Sequence, residues 1–370
     1  MVTTLKRRLS DSVSNEEQSS KMLKVVDDSK FHSEMPDLSR DQRQERVFAN
    51  MRLRRIVKEN HACDISQLSF FFNSKNFSAP VGIDLNKTFD KRGAVQRDQT
   101  DTSNVLATAG GCQVGTKKKK INVYDNEHCG DHLDIMSNFD LTVLQTEEDP
   151  VKRDLRTVCW LYKEGDAWLA TAGADGLIHL ISLANSQEVD ILHGHTRPVH
   201  DLQGHPHSDN YILSTSRDGT IRLWDIDAKK CLVIFEADAT VAVNCIRYAN
   251  GNILSKSING RMEYWDGDQE KSIRSFRVRT GENFSRFDVS LDERFFCVGT
   301  SQGSVYIYNL ETGKMVSELA HRRSTKSVRC CAFSRDCRQV VCAGEDGFIW
   351  RYDYIDDATL QEWANWKKAE

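Results

Sequence analysis

The chain has 370 residues, 39% of them apolar and 28% charged, with 50 basic against 54 acidic side chains and a net charge of −4. That composition excludes a wholly disordered or collagen-like chain, and the charge balance gives the chain as a whole no attraction for polyanions. No run of 18 apolar residues offers a membrane-spanning helix.

Eleven cysteines occur without an apolar stretch behind the basic start MVTTLKRRLSDS, so free thiols in a reducing compartment are expected and secretion is not. Five prolines and 21 glycines serve the whole chain, so its turns must be short and must also draw on Asp, Asn and Ser.

Residues 1–39 are Ser-rich and charge-mixed, with no apolar periodicity, and read as a disordered arm. Its clusters Lys6-Arg7-Arg8 and Lys21 to Lys24 have the spacing of a bipartite nuclear import signal, and Ser10, two places after Arg8, is a candidate phosphosite. Residues 40–60 carry helix formers throughout, with Val47, Phe48 and Met51 as a partial apolar stripe, and predict a charged helix that docks on its own domain or on a partner. The stretch from Cys63 to Pro80, containing ISQLSFFF, suits strands that complete a first sheet or close a ring, and 77–104 reads as an irregular insertion.

From Val105 onward one design repeats: an apolar strand, a small polar turn, and a second strand ending in an aromatic residue. The copies are VLATAGGCQ…INVYD (105–125), LATAGADGLIHLISL (169–183), ILSTSRDGTIRLWDI (212–226), ILSKSINGRMEYWDG (253–267), CVGTSQGSVYIYNL (297–310) and VCAGEDGFIWRYDY (341–354). Successive steps after the second are 43, 41, 44 and 44 residues, the period of a WD-repeat β-propeller blade. The fold expected is therefore all-β, a propeller of six or seven blades over 61–355 behind the arm, with short terminal helices. The lysine run of GTKKKK (115–120) interrupts the first copy as an exposed loop, whose Lys117 to Lys120 allow only weak contacts with nucleic acid.

In the third copy, Gly194-His195 stands thirty residues before Trp224-Asp225. His195, Ser216, Asp218 and Trp224 read as a buried hydrogen-bond network that fixes strand stacking, not as a catalytic triad, because these residue types recur as a blade signature. Residues 356–370 predict a C-terminal helix docked through Trp363 and Trp366.

No phosphate-binding loop, dinucleotide fingerprint, nucleophile elbow or HExxH motif occurs, so no enzyme, cofactor or metal is expected. His193, His195, His200, His205 and His207 fall at repeat positions. Cys330, Cys331, Cys337 and Cys342 lack the paired spacing of a zinc knuckle and read as core residues.

Three stretches carry a narrower resemblance. SVRCCAFSRDCRQVVCAGEDGFIWRYDYI (327–355), AVNCIRYANGNILSKSINGRMEYW (242–265) and DLRTVCWLYKEGDAWLATAGADGLIHLI (154–181) resemble blades of the embryonic ectoderm development and extra sex combs family, the propeller subunits of Polycomb repressive complex 2. The WD domain of the leucine-rich-repeat protein that associates with the origin recognition complex is also compatible. The resemblance implies a nuclear, non-enzymatic chromatin scaffold acting in transcriptional repression, with subunits of a histone-methyltransferase complex and histone tails as partners. The alternatives are an origin-recognition or heterochromatin protein and a substrate receptor of a cullin ubiquitin ligase. The ligase class often has Arg two places after the Trp-Asp pair, where this chain has Asp227 and Asp268.

The resemblance also implies a fourth blade near Cys231 to Asn244, where only a short link stands, and an aromatic cage for trimethyl-lysine at the propeller mouth. The cage is not retained: Arg156, Ser285-Arg286 and Leu68 stand at its aromatic positions. Arg156, Arg197, Arg286 and Arg329 instead suggest a basic mouth suited to an acidic or phosphorylated peptide.

Overall fold

The structure, a computed structural model, describes residues 35–58, 64–71, 105–110, 120–126, 134–140, 155–163, 166–205, 208–236, 243–249, 252–257, 261–265, 272–278, 280, 285–290, 292–334 and 337–369. The arm through residue 34 with Ser10 and both basic clusters, the insertion 77–104 and the lysine loop through Lys119 lie outside the described residues.

Helix α1 (Arg40–Ala49) opens with a capping box: the Gln42 amide donates to Ser39 Oγ, and the Ser39 amide donates to Gln42 Oε1 at 3.0 Å. The charged helix expected over 40–60 ends at Ala49, and Met51–Lys58 is strand β1. Helix propensity in RLRRIVK yields here to backbone pairing with a strand near the other end of the chain.

The remaining strands follow in sets of four. The first set is β2 (Ile65–Phe70), β3 (Val105–Gly110), β4 (Lys120–Asp125) and β5 (Asp134–Asp140). The second is β6 (Leu155–Lys163), β7 (Asp166–Gly173), β8 (Ile178–Ser182) and β9 (Gln187–Leu192). The third is β10 (Val199–His205), β11 (Ser208–Ser216), β12 (Thr220–Asp225) and β13 (Lys230–Glu236), and the fourth is β14 (Val243–Ala249), β15 (Asn252–Ser257), β16 (Arg261–Trp265) and β17 (Ser272–Arg277). The fifth is β18 (Phe287–Val289), β19 (Phe295–Gly299), β20 (Val305–Asn309) and β21 (Met315–Leu319). The last has β22 (Val328–Phe333), β23 (Gln339–Gly344) and β24 (Phe348–Tyr354), with β1 as its fourth strand.

Each set is an antiparallel sheet, giving a six-bladed all-β propeller. The inner strands β2, β6, β10, β14, β18 and β22 touch one another in that order and back to β2, which closes the ring around a central channel. Blade six is completed by β1 against β24, with Met51 opposite Tyr354 and Lys58 opposite Phe348. The ISQLSF stretch supplies the inner strand of blade one. No further blade fits the six residues between Glu236 and Val243, which answers the count of six or seven.

The core lies in the seams between blades. Val105 and Ala107 of blade one pack with Val158 and Leu169 of blade two. Leu180 of blade two meets Ile212 and Trp224 of blade three. Phe295 and Ile307 of blade five meet Phe333 and Trp350 of blade six. Cys330, Cys331, Cys337 and Cys342 are buried core residues, and burial pushes the Cys330 and Cys342 thiols up.

Every inner strand begins at the face that also carries the turns between second and third strands, as Val199 opposite Ser216 shows in blade three. Those turns carry glycine in the left-handed region, with Gly219 at φ +84° and Gly303 at φ +92°. At Gly303 an added Cβ would lie 2.1 Å from the Ser324 carbonyl oxygen, so the 320–327 loop seats on this turn only because it is glycine.

Helix α2 (Asp357–Ala369) is tied at its first turn, where Asp357 accepts from Arg46 at 2.9 Å and from Asn50 Nδ2 at 2.8 Å. Beyond that turn it stands away from the blades, and Trp363, expected to dock, is 42% exposed. The Trp366 side chain lies outside the described residues.

Candidate functional site

In blade three His195, Asp218 and Trp224 are joined by hydrogen bonds through Ser214, where the sequence pointed to Ser216. His195 Nδ1 lies 2.8 Å from Asp218 Oδ2, and its Nε2 lies 2.6 Å from Ser214 Oγ, which also accepts from Trp224 Nε1 at 2.8 Å. Ser214 therefore holds the position assigned to Ser216. The two serines share a strand face, and Ser216 sits one step nearer the turn. There its hydroxyl bonds the carbonyls of Arg197 and Pro198 at 2.9 and 3.0 Å and accepts the Asp218 amide.

The geometry sets the proton positions. Nδ1–H donates to Asp218, and Ser214 donates to Nε2 while accepting from the indole. Burial pushes the His195 imidazole down and outweighs the raising effect of Asp218, which keeps the ring neutral. Burial pushes Asp218 up, but hydrogen bonds from Thr220, His195 and the Thr196 amide hold its carboxyl well below the usual carboxylate range.

Ser214→Ala leaves both His195 Nε2 and the Trp224 indole without a partner in a buried site. Its expected cost is about 2–3 kcal/mol in urea denaturation. Ser216→Ala is expected to cost about 1 kcal/mol, because its partners lie at the rim. Equal losses would place the network on the wrong serine.

Blade two solves the same problem differently. The turn residue Asp175 reaches His179 Nε2 at 3.2 Å, and Glu188 reaches its Nδ1 at 2.5 Å. Burial pushes His179 down, but the hydrogen bonds and charges of Asp175 and Glu188 prevail and raise it above 6.5. A raised folded-state value means the contribution to stability is complete below the unfolded value and lost as pH rises through the folded one. The stability advantage of the native chain over His179→Gln is therefore expected to be full below pH 6.5 and to shrink at alkaline pH, read as denaturation midpoints across that range. In blade six the turn residue Asp346 takes the Trp350 indole directly at 2.9 Å, with no histidine between.

The channel mouth is built by a repeated irregularity. Pairing slips by one residue between Ile65/Gln67, Leu155/Thr157, Val199/Asp201, Val243/Cys245 and Val328/Cys330. Such a bulge re-aims a side chain. The skipped residues Ser66, Arg156, His200 and Arg329 are half-buried between buried neighbours, where the inner strands open at the mouth.

The residue after the skipped one links blade to blade. Gln67 Oε1 accepts the Val158 amide at 2.9 Å, Thr157 Oγ1 accepts the Leu202 amide at 2.9 Å, and Asp201 Oδ2 accepts the Ile246 amide at 3.2 Å.

Blade five breaks this pattern with Arg286. It was expected to line the mouth, yet it is 1% exposed. Its guanidinium crosses the channel and donates to the carbonyls of Ser66 in blade one and His200 in blade three, and its Nε lies 3.4 Å from Asp201. Arg247 of blade four pairs with the same carboxylate at 2.6 Å. Arg286 is thus a spoke beneath the mouth, spent on the protein's own backbone. Nothing in a Phe-Asp-Val strand foretells a buried arginine; its only sequence signal is the loss of cage aromatics.

Of the other mouth candidates, Arg329 pairs with Glu345 at 2.6 Å, Arg156 is half-buried, and Arg197 is exposed. Arg217, exposed beside Asp218, joins them and was not foreseen. Burial and the charges of Arg286, Arg156 and Arg217 push His200 down to about 4, so its imidazole is neutral at ordinary pH. Leu68 and Ser285 are buried. His193 is exposed and His205 packs its ring on Tyr211 at 6.2 Å, while His207 lies outside the described residues. Among the described residues no group of three His, Cys, Asp or Glu side chains is arranged to hold a metal ion.

Comparison with known proteins agrees with the fold. The family model described as WD domain, G-beta repeat, matches residues 186–225 and 313–353. Both matches begin in or beside the outer strand of one blade and run through the next three strands, so the sequence repeat is offset from the blade.

The chain is 22% identical to Polycomb protein esc of Drosophila virilis, over 80% of this chain and 83% of that protein. It is 21% identical to Polycomb group protein FIE2 of Zea mays, over 68% and 84% respectively. It is also 29% identical to Autophagy-related protein 16 of Arabidopsis thaliana, but over only 37% of this chain and 28% of that one.

Proposed function

We propose that this WD-repeat propeller is a non-catalytic scaffold subunit of a Polycomb-type chromatin complex, acting in the nucleus in transcriptional repression. The observation that carries the reading is the similarity to Polycomb protein esc, which spans most of both chains, where the likeness to a protein of another process covers a third of this one. A rigid ring suits the role, because six blades offer a large surface with little ordering cost on binding. The basic clusters Lys6-Arg7-Arg8 and Lys21 to Lys24 support nuclear import.

The expected partner is a histone methyltransferase. Trimethyl-lysine is not the expected mouth ligand: Arg156 would repel a quaternary ammonium, and Arg286, Ser285 and Leu68 are buried.

Co-expression with a SET-domain histone methyltransferase and its zinc-finger partner tests the proposal. One complex with fixed stoichiometry through size exclusion supports it. A chain that elutes alone, while binding origin-recognition subunits or a cullin adaptor in parallel co-expressions, overturns it.

A further inference from the structure

The 320–327 loop joins β21 of blade five to β22 of blade six and lies at the mouth face, where β22 begins. It reads AHRRSTKS and carries the cations Arg322, Arg323 and Lys326, with no acid in its own sequence. The side chains of Arg322, Arg323, Thr325 and Lys326 are exposed.

One residue holds the middle of this loop down. Ser324 is buried, its hydroxyl donates to the Gly303 carbonyl at 2.7 Å, and its amide donates to the His321 carbonyl at 2.9 Å. The next hydroxyl is of the opposite kind. Thr325 is exposed, and no hydrogen bond holds its side chain among the described residues. Arg322 and Arg323 stand three and two places before it.

We propose that Thr325 is a phosphorylation site for a protein kinase that selects arginine three and two places before its acceptor. Guanidiniums at those places are forked donors for carboxylates beside a kinase cleft, and the acceptor hydroxyl must reach the γ-phosphate of ATP. Thr325 meets both demands. Ser324 meets neither, since its hydroxyl is spent on Gly303 and His321 stands three places before it. No strand pairing runs from 320 to 327, so a kinase can draw the loop into its cleft without breaking a sheet.

In the transfer the Thr325 hydroxyl oxygen bonds to the γ-phosphorus of ATP as the bond from that phosphorus to the β,γ-bridging oxygen breaks. ADP leaves, and the hydroxyl proton passes to the base of the kinase. The phosphate brings close to two negative charges to a loop with three positive ones, which lowers its net charge to about one. The modification is thus a charge switch on the mouth face above the junction of blades five and six. The isolated chain is the substrate, so the outcome is separate from that of the co-expression test.

The experiment incubates the full chain with cyclic-AMP-dependent protein kinase, magnesium and ATP. Mass spectrometry of the digested chain maps each phosphate, which separates Thr325 from Ser10 of the arm. Phosphate is expected on Thr325 and not on Ser324. Arg322→Ala and Arg323→Ala are each expected to slow labelling of Thr325 by about tenfold or more, with labelling of Ser10 unchanged. Thr325→Ala should abolish labelling of this loop without moving it to Ser324.

The three side chains changed are exposed, so melting curves of these variants and of the phosphorylated chain should match that of the native chain. Absence of phosphate from Thr325 overturns the proposal. So does phosphate on Ser324 at a comparable rate, or labelling of Thr325 that survives both arginine changes.

Discussion

Asp201→Asn is expected to lower the stability of the ring by about 3–5 kcal/mol, read from urea denaturation midpoints at neutral pH. One carboxylate there serves four blades. Its oxygens accept from Arg247 Nη1 of blade four at 2.6 Å, the Ile246 amide at 3.2 Å and Thr157 Oγ1 of blade two at 3.4 Å, and the Arg286 guanidinium of blade five is ion-paired beside it, its Nε 3.4 Å away. Asparagine keeps the shape but removes the charge, leaving two buried guanidiniums to face each other across the channel with Asp288 as the remaining carboxylate nearby.

Burial pushes Asp288 up, against the lowering charge of Arg247, so it is a poor substitute. The same burial lowers Arg286, which means the guanidinium is tolerated, not favoured, where it stands. Arg286→Met in the Asp201→Asn background should therefore restore part of the loss, since it removes the uncompensated cation and keeps an apolar filler. A cost under about 1 kcal/mol for Asp201→Asn, or no recovery in the double variant, would show that water screens the channel and that the four blades are held by their apolar seams alone.

The parts of this molecule that were legible in the sequence are those in which a blade refers only to itself. Asp-Gly and Gln-Gly turns close hairpins between strands a few residues apart, so the turns at 218–219 and 302–303 could be placed to the residue. The His195, Asp218 and Trp224 positions follow from the same local spacing. Ser214 and Ser216 could not be told apart, because they alternate onto one strand face and differ only in distance from the turn.

What reached across the ring was hidden. Arg286 spends its donors on carbonyls of residues 66 and 200, and no short-range pattern encodes a contact between strands of alternate blades. The bulges at the mouth were hidden for another reason: each falls at the second residue of its strand, where too little of the alternation precedes it for the shift to show. Arg217 reads in the sequence as an ordinary turn residue, and only the bond from its amide to the Pro198 carbonyl fixes its place beside Arg197.

The least legible element was β1, whose charged sequence favours a helix and whose partner β24 lies some three hundred residues away. Its role follows from the offset between repeat and blade. Each repeat contributes the outer strand of one blade and three strands of the next, so a ring built this way ends with three strands and must borrow its last from the start of the chain.

Helix α1 reinforces that junction. Phe48 is 0% exposed, lies edge-on to Phe295 of blade five at 5.0 Å and 5.6 Å from Phe333 of blade six, and its carbonyl accepts from Ser317 Oγ at 3.0 Å. Phe48→Ala is accordingly expected to cost about 3–5 kcal/mol, as large a loss as any single truncation in the seams. Removing residues 1–58 should go further, because it exposes the β24 edge and the seam beneath Phe48 together, and an open edge over an apolar face recruits a second copy. The shortened chain should run as larger species than the full chain in size exclusion and return to the full chain's elution position when a peptide of residues 35–58 is supplied. A shortened chain that stays monomeric and keeps its melting temperature would mean that the ring is closed by the contact of β22 with β2, and that the borrowed strand is an accessory to it.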